Sequence, residues 1–104
     1  MTHTFLVHDP GDSVGVAVED IPAGTRAMGK TLRDGKTFEV TTRDAVPLGH
    51  KVALRAIARG EKVIEYGEVI GQATADIAAG AHVHVHNITS VRWPKSQAAD
   101  AKVA

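Results

Sequence analysis

The chain has 104 residues, 12 Lys plus Arg against 12 Asp plus Glu, and no cysteine. That length holds one small domain. The balanced charge excludes a free-standing nucleic-acid binder, which carries a basic excess, and the missing cysteine excludes a disulfide framework, a thiolate nucleophile and a cysteine zinc site.

The segments Thr4–His8 and Ser13–Val18 read as short strands, with Asp9 and Asp12 bracketing Pro10-Gly11 to shape the turn between them. Next comes Ile21/Gly24/Ala27, the first of four sets in which an apolar residue is followed at +3 by Gly and at +6 by another apolar residue. The others are Val46/Gly49/Val52, Ile57/Gly60/Val63 and Ile77/Gly80/Val83, and Ala17, Ala53 and Ala73 lie four residues ahead of three of them. The repeat is too short for a solenoid and reads as a recurring corner, with Gly supplying a backbone angle that other residues resist. Between Lys30–Arg33 and the strand Lys36–Thr42, Asp34-Gly35 predicts a type I′ hairpin. Lys51–Ala56 predicts a strand, and Ala53–Arg59 allows one or two helical turns before Gly60. Val63–Tyr66 and Val69–Ala73 follow, with Tyr66-Gly67 as a second tight turn, and Ala81–Ile88 is the last strand. The expected fold is mostly β, a small domain of short strands and Gly corners over residues 1–93, with residues 94–104 as a flexible tail. No stretch approaches the roughly 18 apolar residues of a membrane span, and Met1–Pro10 lacks the pattern of a signal peptide. The default location is cytoplasmic.

The densest chemical signal is His82-Val83-His84-Val85-His86-Asn87. On a strand the three imidazoles would share one face, about 6–7 Å apart at neighbouring positions. Neutral imidazole suits Zn, Fe, Ni and Cu, so this face is a candidate for metal or substrate, against the alternative of an exposed strand that happens to carry histidine. Asn87 is positioned to bend the chain or meet a polar ligand. Gly49-His50-Lys51 flanks a corner, where His50 can transfer protons and Lys51 can hold a carboxylate, or both can simply be solvated. Tyr66 is expected in the core with its hydroxyl at the surface, and Glu65 and Glu68 are expected in solvent. No G-x-S-x-G, P-loop or G-x-G-x-x-G pattern is present.

These segments also resemble a known family. Gly49-His50-Lys51-Val52-Ala53-Leu54, Val63-Ile64-Glu65-Tyr66-Gly67, Ile70-Gly71, Ala75-Asp76-Ile77 and Gly80-Ala81-His82-Val83-His84-Val85-His86-Asn87 occur in the order found in the SAF domain of altronate and galactarate dehydratases. The pattern is similar, too, to the separate small subunit of (2R)-sulfolactate sulfo-lyase. The resemblance runs from Phe5 to Trp93 and implies a β-clip fold. It implies a small subunit of a two-subunit, metal-dependent lyase, eliminating water from a sugar acid or related 2-hydroxy acid, or sulfite from sulfolactate. A non-catalytic carbohydrate-binding, anion-binding or structural module is the alternative of another class. The implied partners are a large catalytic subunit on another chain and a small hydroxy acid, with no nucleic acid and no membrane; a homo-oligomer is also allowed. The implied cofactor is a divalent metal, Fe2+ favoured, with His82, His84 and His86 as metal contacts. His50 and His84 are then the catalytic candidates, and Lys51 and Asn87 the substrate-binding ones. Two positions depart from the family pattern: Ala81 stands where relatives often have Glu, and Glu65 where the sugar-acid dehydratases often have a basic residue.

Overall fold

A computed structural model of the chain describes residues 3–90. The expected tail and Trp93 lie outside the described residues. Nine strands and no helix form among those described: β1 (Phe5–Val7), β2 (Val14–Ala17), β3 (Arg26–Thr31), β4 (Thr37–Thr41), β5 (Lys51–Ala53), β6 (Lys62–Glu65), β7 (Glu68–Ala73), β8 (His82–Val83) and β9 (Ile88–Ser90). They make a six-stranded sheet in the order β4-β3-β1-β2-β5-β8 and a three-stranded sheet in the order β6-β7-β9. Ser13 joins the two sheets, because its N–H donates to the Ile64 carbonyl and its hydroxyl accepts from the Ile64 N–H.

The four predicted corners are real, and they work in pairs. Gly24, Gly49, Gly60 and Gly80 all have φ between 79° and 86°, a region that costs L-residues about 1–2 kcal/mol. The apolar anchors bridge reciprocally, Ile21 with Val46 and Ile57 with Ile77. Each corner glycine donates its N–H to the residue four before its partner's anchor: Gly24 to Thr42, Gly49 to Ala17, Gly60 to Ala73 and Gly80 to Ala53. The alanines seen ahead of three corners are therefore the acceptors of the facing corner, and Thr42 fills the fourth place. Aspartates brace the same joints. Asp20 accepts from the Leu48 N–H and Asp76 from the Arg59 N–H, both at 2.9 Å.

Each corner pair closes over its own core. Phe5, Val7, Ala17, Ile21, Ala27, Val40, Val46 and Val52 form one cluster. Val14, Ala53, Ile57, Val63, Ala73, Ile77 and Val83 form the other.

Several local expectations are corrected. Ala53–Arg59 makes no helical turn, because Ile57 is committed to its bridge with Ile77. Strand β3 begins before the predicted Lys30–Arg33, and its period is hidden because the buried positions hold Ala27, Gly29 and Thr31. Small residues are required there, since Phe5 pairs with Gly29 and lays its ring where a Gly29 side chain would stand. The Asp34-Gly35 connection is not type I′, because Gly35 alone has positive φ. Tyr66-Gly67 is the two-residue hairpin of that kind, with φ of 58° and 72° between the paired Glu65 and Glu68. Tyr66 is no core residue. It is 60% exposed and stacks on His8 with ring centroids 3.6 Å apart. Glu68 is solvated as expected, whereas Glu65 is buried.

Candidate functional site

The two corner pairs meet where β5 pairs with β8. The register sets Lys51 opposite Val83 and Val52 opposite His82. His50 leaves the second corner just before β5, and His82 leaves the fourth corner at the start of β8. Their side chains meet, with His50 Nδ1 2.9 Å from His82 Nε2. At that separation the two nitrogens share one proton, one donating and the other accepting. His84 closes the group, its ring centroid 4.4 Å from that of His50. One ring nitrogen from each of His50, His82 and His84 lies within 4.8 Å of the others.

The histidine run is therefore not a flat strand face. Strand β8 stops at Val83, because past that point its partner would be His50, where the neighbouring chain is already turning at Gly49. Residues 84–87 instead form a turn in which the Asn87 and Ile88 N–H groups both donate to the His84 carbonyl. That turn brings His84 toward His50. His86 remains near, with its ring centroid 5.3 Å from that of His82, but it stands outside the three-nitrogen group.

Two side chains hold the histidines. The Asp44 carboxylate accepts from the His82 N–H at 3.0 Å. The Asn87 amide donates to the His82 carbonyl at 2.9 Å and accepts from the His84 N–H at 3.0 Å. Partial burial, followed by the Coulomb influence of the neighbouring His50, His86 and His84, lowers the His82 pKa below its ordinary value, with Asp44 opposing. His82 thus keeps a free lone pair to lower pH than a solvated imidazole.

Beside the cluster runs a groove of about 320 Å³ lined by Lys51, Glu65, Val83, His84, Ile88 and Ser90, among others. Lys51 Nζ lies 3.7 Å from Glu65 Oε1, and Glu65 is only 6% exposed. The buried carboxylate fixes the ammonium at the groove wall, and His84 belongs to both groove and cluster.

A match to the altronate/galactarate dehydratase SAF domain covers residues 3–91. The chain belongs to this family. A subunit alpha of (2R)-sulfolactate sulfo-lyase from Chromohalobacter salexigens is 43% identical over 94 residues, which is 89% of this chain and 100% of that relative. The corresponding subunit from Paracoccus pantotrophus is 45% identical over 60 residues, 58% of this chain and 90% of the relative. Altronate dehydratase of Escherichia coli is 51% identical over 76 residues, 73% of this chain but 14% of that enzyme. The SAF chain thus matches the alpha subunits along nearly their whole length and one segment of the much longer dehydratase.

Of the residues singled out from sequence, the fold brings His50, His82, His84 and Lys51 to one place, with Asn87 beneath them and His86 at the rim. Sequence reading passed over Asp44, and it expected Glu65 in solvent where the fold buries it. A signal for Asp44 existed, because Asp20 and Asp76 also stand just ahead of corner anchors and brace a facing corner. Glu65 had only its place two residues beyond the buried Val63 on the same strand face.

Proposed function

We propose that this chain is the small subunit of a two-chain lyase, completing a site for β-elimination from a 2-hydroxy acid with the imidazoles of His50, His82 and His84. The observation that carries the reading is the convergence of those three rings beside Lys51, in a chain matched along its length by an alpha subunit of a lyase. In the reaction a base takes the proton from the carbon next to the carboxylate. The C–H electron pair becomes a C=C bond, and the group on the next carbon departs with its bonding electrons. When the His50–His82 pair is neutral and hydrogen-bonded, the donating ring keeps a lone pair on its outer nitrogen, which can accept the substrate proton. Lys51, held by Glu65, offers its ammonium to the substrate carboxylate. His84 lines the groove with its ring beside that of His50, and in this reading it passes the proton to the leaving group.

The same donor set fits a divalent cation, since three neutral imidazoles within 4.8 Å can converge on one ion in place of the shared proton. Fe2+ is the favoured identity, and when bound it would act as a Lewis acid toward the charge that develops beside the carboxylate. The relatives matched end to end are alpha subunits, and in this reading a companion chain supplies the rest of the enclosure.

Two leaving groups fit. Water from a sugar acid is the dehydratase reading. Sulfite from (2R)-sulfolactate is favoured by the end-to-end match to a sulfo-lyase subunit alpha. Reconstitution with the large subunit of a related lyase decides between them, with altronate, galactarate and (2R)-sulfolactate as substrates. Turnover of one of these is expected from the complex and none from the small chain alone. His84→Ala is expected to lower turnover at least tenfold. Unchanged turnover in that variant would remove the catalytic assignment and leave a structural or binding module.

A further inference from the structure

Asn87 is 9% exposed, and its side chain is already engaged at both ends. Its Nδ2 donates to the His82 carbonyl and its Oδ1 accepts from the His84 N–H. Its own backbone closes the turn, with the N–H donating to the His84 carbonyl and the carbonyl accepting from Thr74 N–H on the adjoining strand connection. One planar amide therefore spans the residues before and after Val83, at the point where β8 ends. The two contacts also fix which end of the amide is oxygen, because a backbone N–H needs an acceptor and a carbonyl needs a donor. Asp would keep the acceptor and lose the donor, while Ala would lose both. From the other side Asp44 holds the His82 N–H, so both backbone groups of His82 are tied by side chains rather than by a strand partner.

Building on the reading of the histidine cluster given above, we infer that Asn87 is a positioning residue: it clamps the backbone of His82 and His84 so that their imidazoles stand at ligand distance from His50. Its amide is committed to this clamp and is not the group that meets the substrate. The three ring nitrogens come from two separate segments, and the side-chain hydrogen bonds of Asn87 tie the second segment into a turn. Without them, residues 84–87 would keep two backbone bonds to the His84 carbonyl and one from Thr74 to the Asn87 carbonyl, none of which holds His82. Groups that orient metal-binding side chains in this way are typically worth 10–100-fold in metal affinity.

The test uses the full chain with Co2+ alone, read by its visible absorption, together with the imidazole 15N signals of the metal-free protein at neutral pH. The wild-type chain is expected to bind one Co2+ and to show fixed tautomers at His82 and His84. Asn87→Ala is expected to keep the amide spectrum of β1 to β4, to weaken Co2+ binding at least tenfold, and to average the ring signals of His84 between tautomers. If Asn87→Ala does not fold, Asn87→Asp carries the test, with weaker Co2+ binding and the larger ring-signal change at His82, whose carbonyl loses its donor. A folded variant with wild-type Co2+ affinity and wild-type ring signals would overturn the inference. Failure of the wild-type chain to bind Co2+ would count against the metal reading alone, and the ring signals would still decide the role of Asn87.

Discussion

At the scale of single residues, the site is tuned by burial more than by charge. His82 is held below its ordinary pKa of 6.5, first by desolvation and then by neighbouring imidazoles. In the unfolded chain it regains the ordinary value. Between the folded pKa and about 6.5 the unfolded state therefore binds more protons, and stability must fall as pH falls through that window. Chemical denaturation of the chelator-treated chain between pH 7.5 and 5 is expected to show this loss, and His82→Gln to reduce its slope. An equal slope in both proteins would show that His82 is not the group responsible. Tyr66 presents the opposite case, a residue whose backbone is less comfortable than its surroundings require. It occupies the first central position of a type I′ turn at φ 58°, where Asn before Gly is the preferred pair. The turn is otherwise well held, because the buried Asp12 carboxylate accepts from both the Tyr66 and Gly67 N–H groups at 3.0 Å. Tyr66→Asn is expected to raise the melting temperature by a few degrees, on the order of 1 kcal/mol, and to remove the His8 stack. A lower melting temperature would mean that the stack outweighs the strain.

At the scale of elements, the corners carry the fold, and they were the most legible feature of the sequence. The Gly at +3 needs positive φ, which few residues supply, so its spacing survives in the sequence as a mark. What the spacing does not contain is the pairing of corners, because the reciprocal bonds run between backbone groups that every residue has. The same limit explains the site. His50, His82, His84 and Lys51 stood out by residue type, but the turn that ends β8 depends on where β5 stops, and that is decided by its neighbours. Strand β3 was hidden for a further reason, since packing under Phe5 demands small residues rather than apolar ones. Two substitutions separate the conformational role of a corner glycine from its packing role. At Gly24 a Cβ would meet open space, so Gly24→Ala is expected to cost only the backbone term, about 1–2 kcal/mol. At Gly80 a Cβ would overlap the Thr41 carbonyl, so Gly80→Ala adds a backbone clash and is expected to cost about 3 kcal/mol or more. Urea denaturation of the two variants measures the difference. Equal losses would mean that the fourth corner can move away from Thr41, and with it the mount of His82.

At the scale of the molecule, the question is whether two cores make two folding units. Neighbouring residues on single strands are divided between them. In β2, Val14 packs in the second cluster and Ala17 in the first. In β5, Val52 packs in the first and Ala53 in the second. Opening either core thus pulls on a strand that also closes the other, and Ser13 adds a bond between the sheets. The histidine cluster depends on this sharing, because His50 enters from the pair anchored by Val46 and His82 from the pair anchored by Ile77. If the cores opened independently, the distance between those rings would change with each opening. The expected behaviour is a single cooperative transition. Ile21→Val and Ile57→Val each delete one methylene from different cores, at a cost of about 0.5–1.5 kcal/mol. Native-state hydrogen exchange followed at the amides of Ala17, Val46, Ile57 and Ala73 should report the same opening free energy within each protein, lowered together by either substitution. A loss confined to the substituted core would show two separate units and would make the joint between them, where the imidazoles meet, the first part of the protein to open.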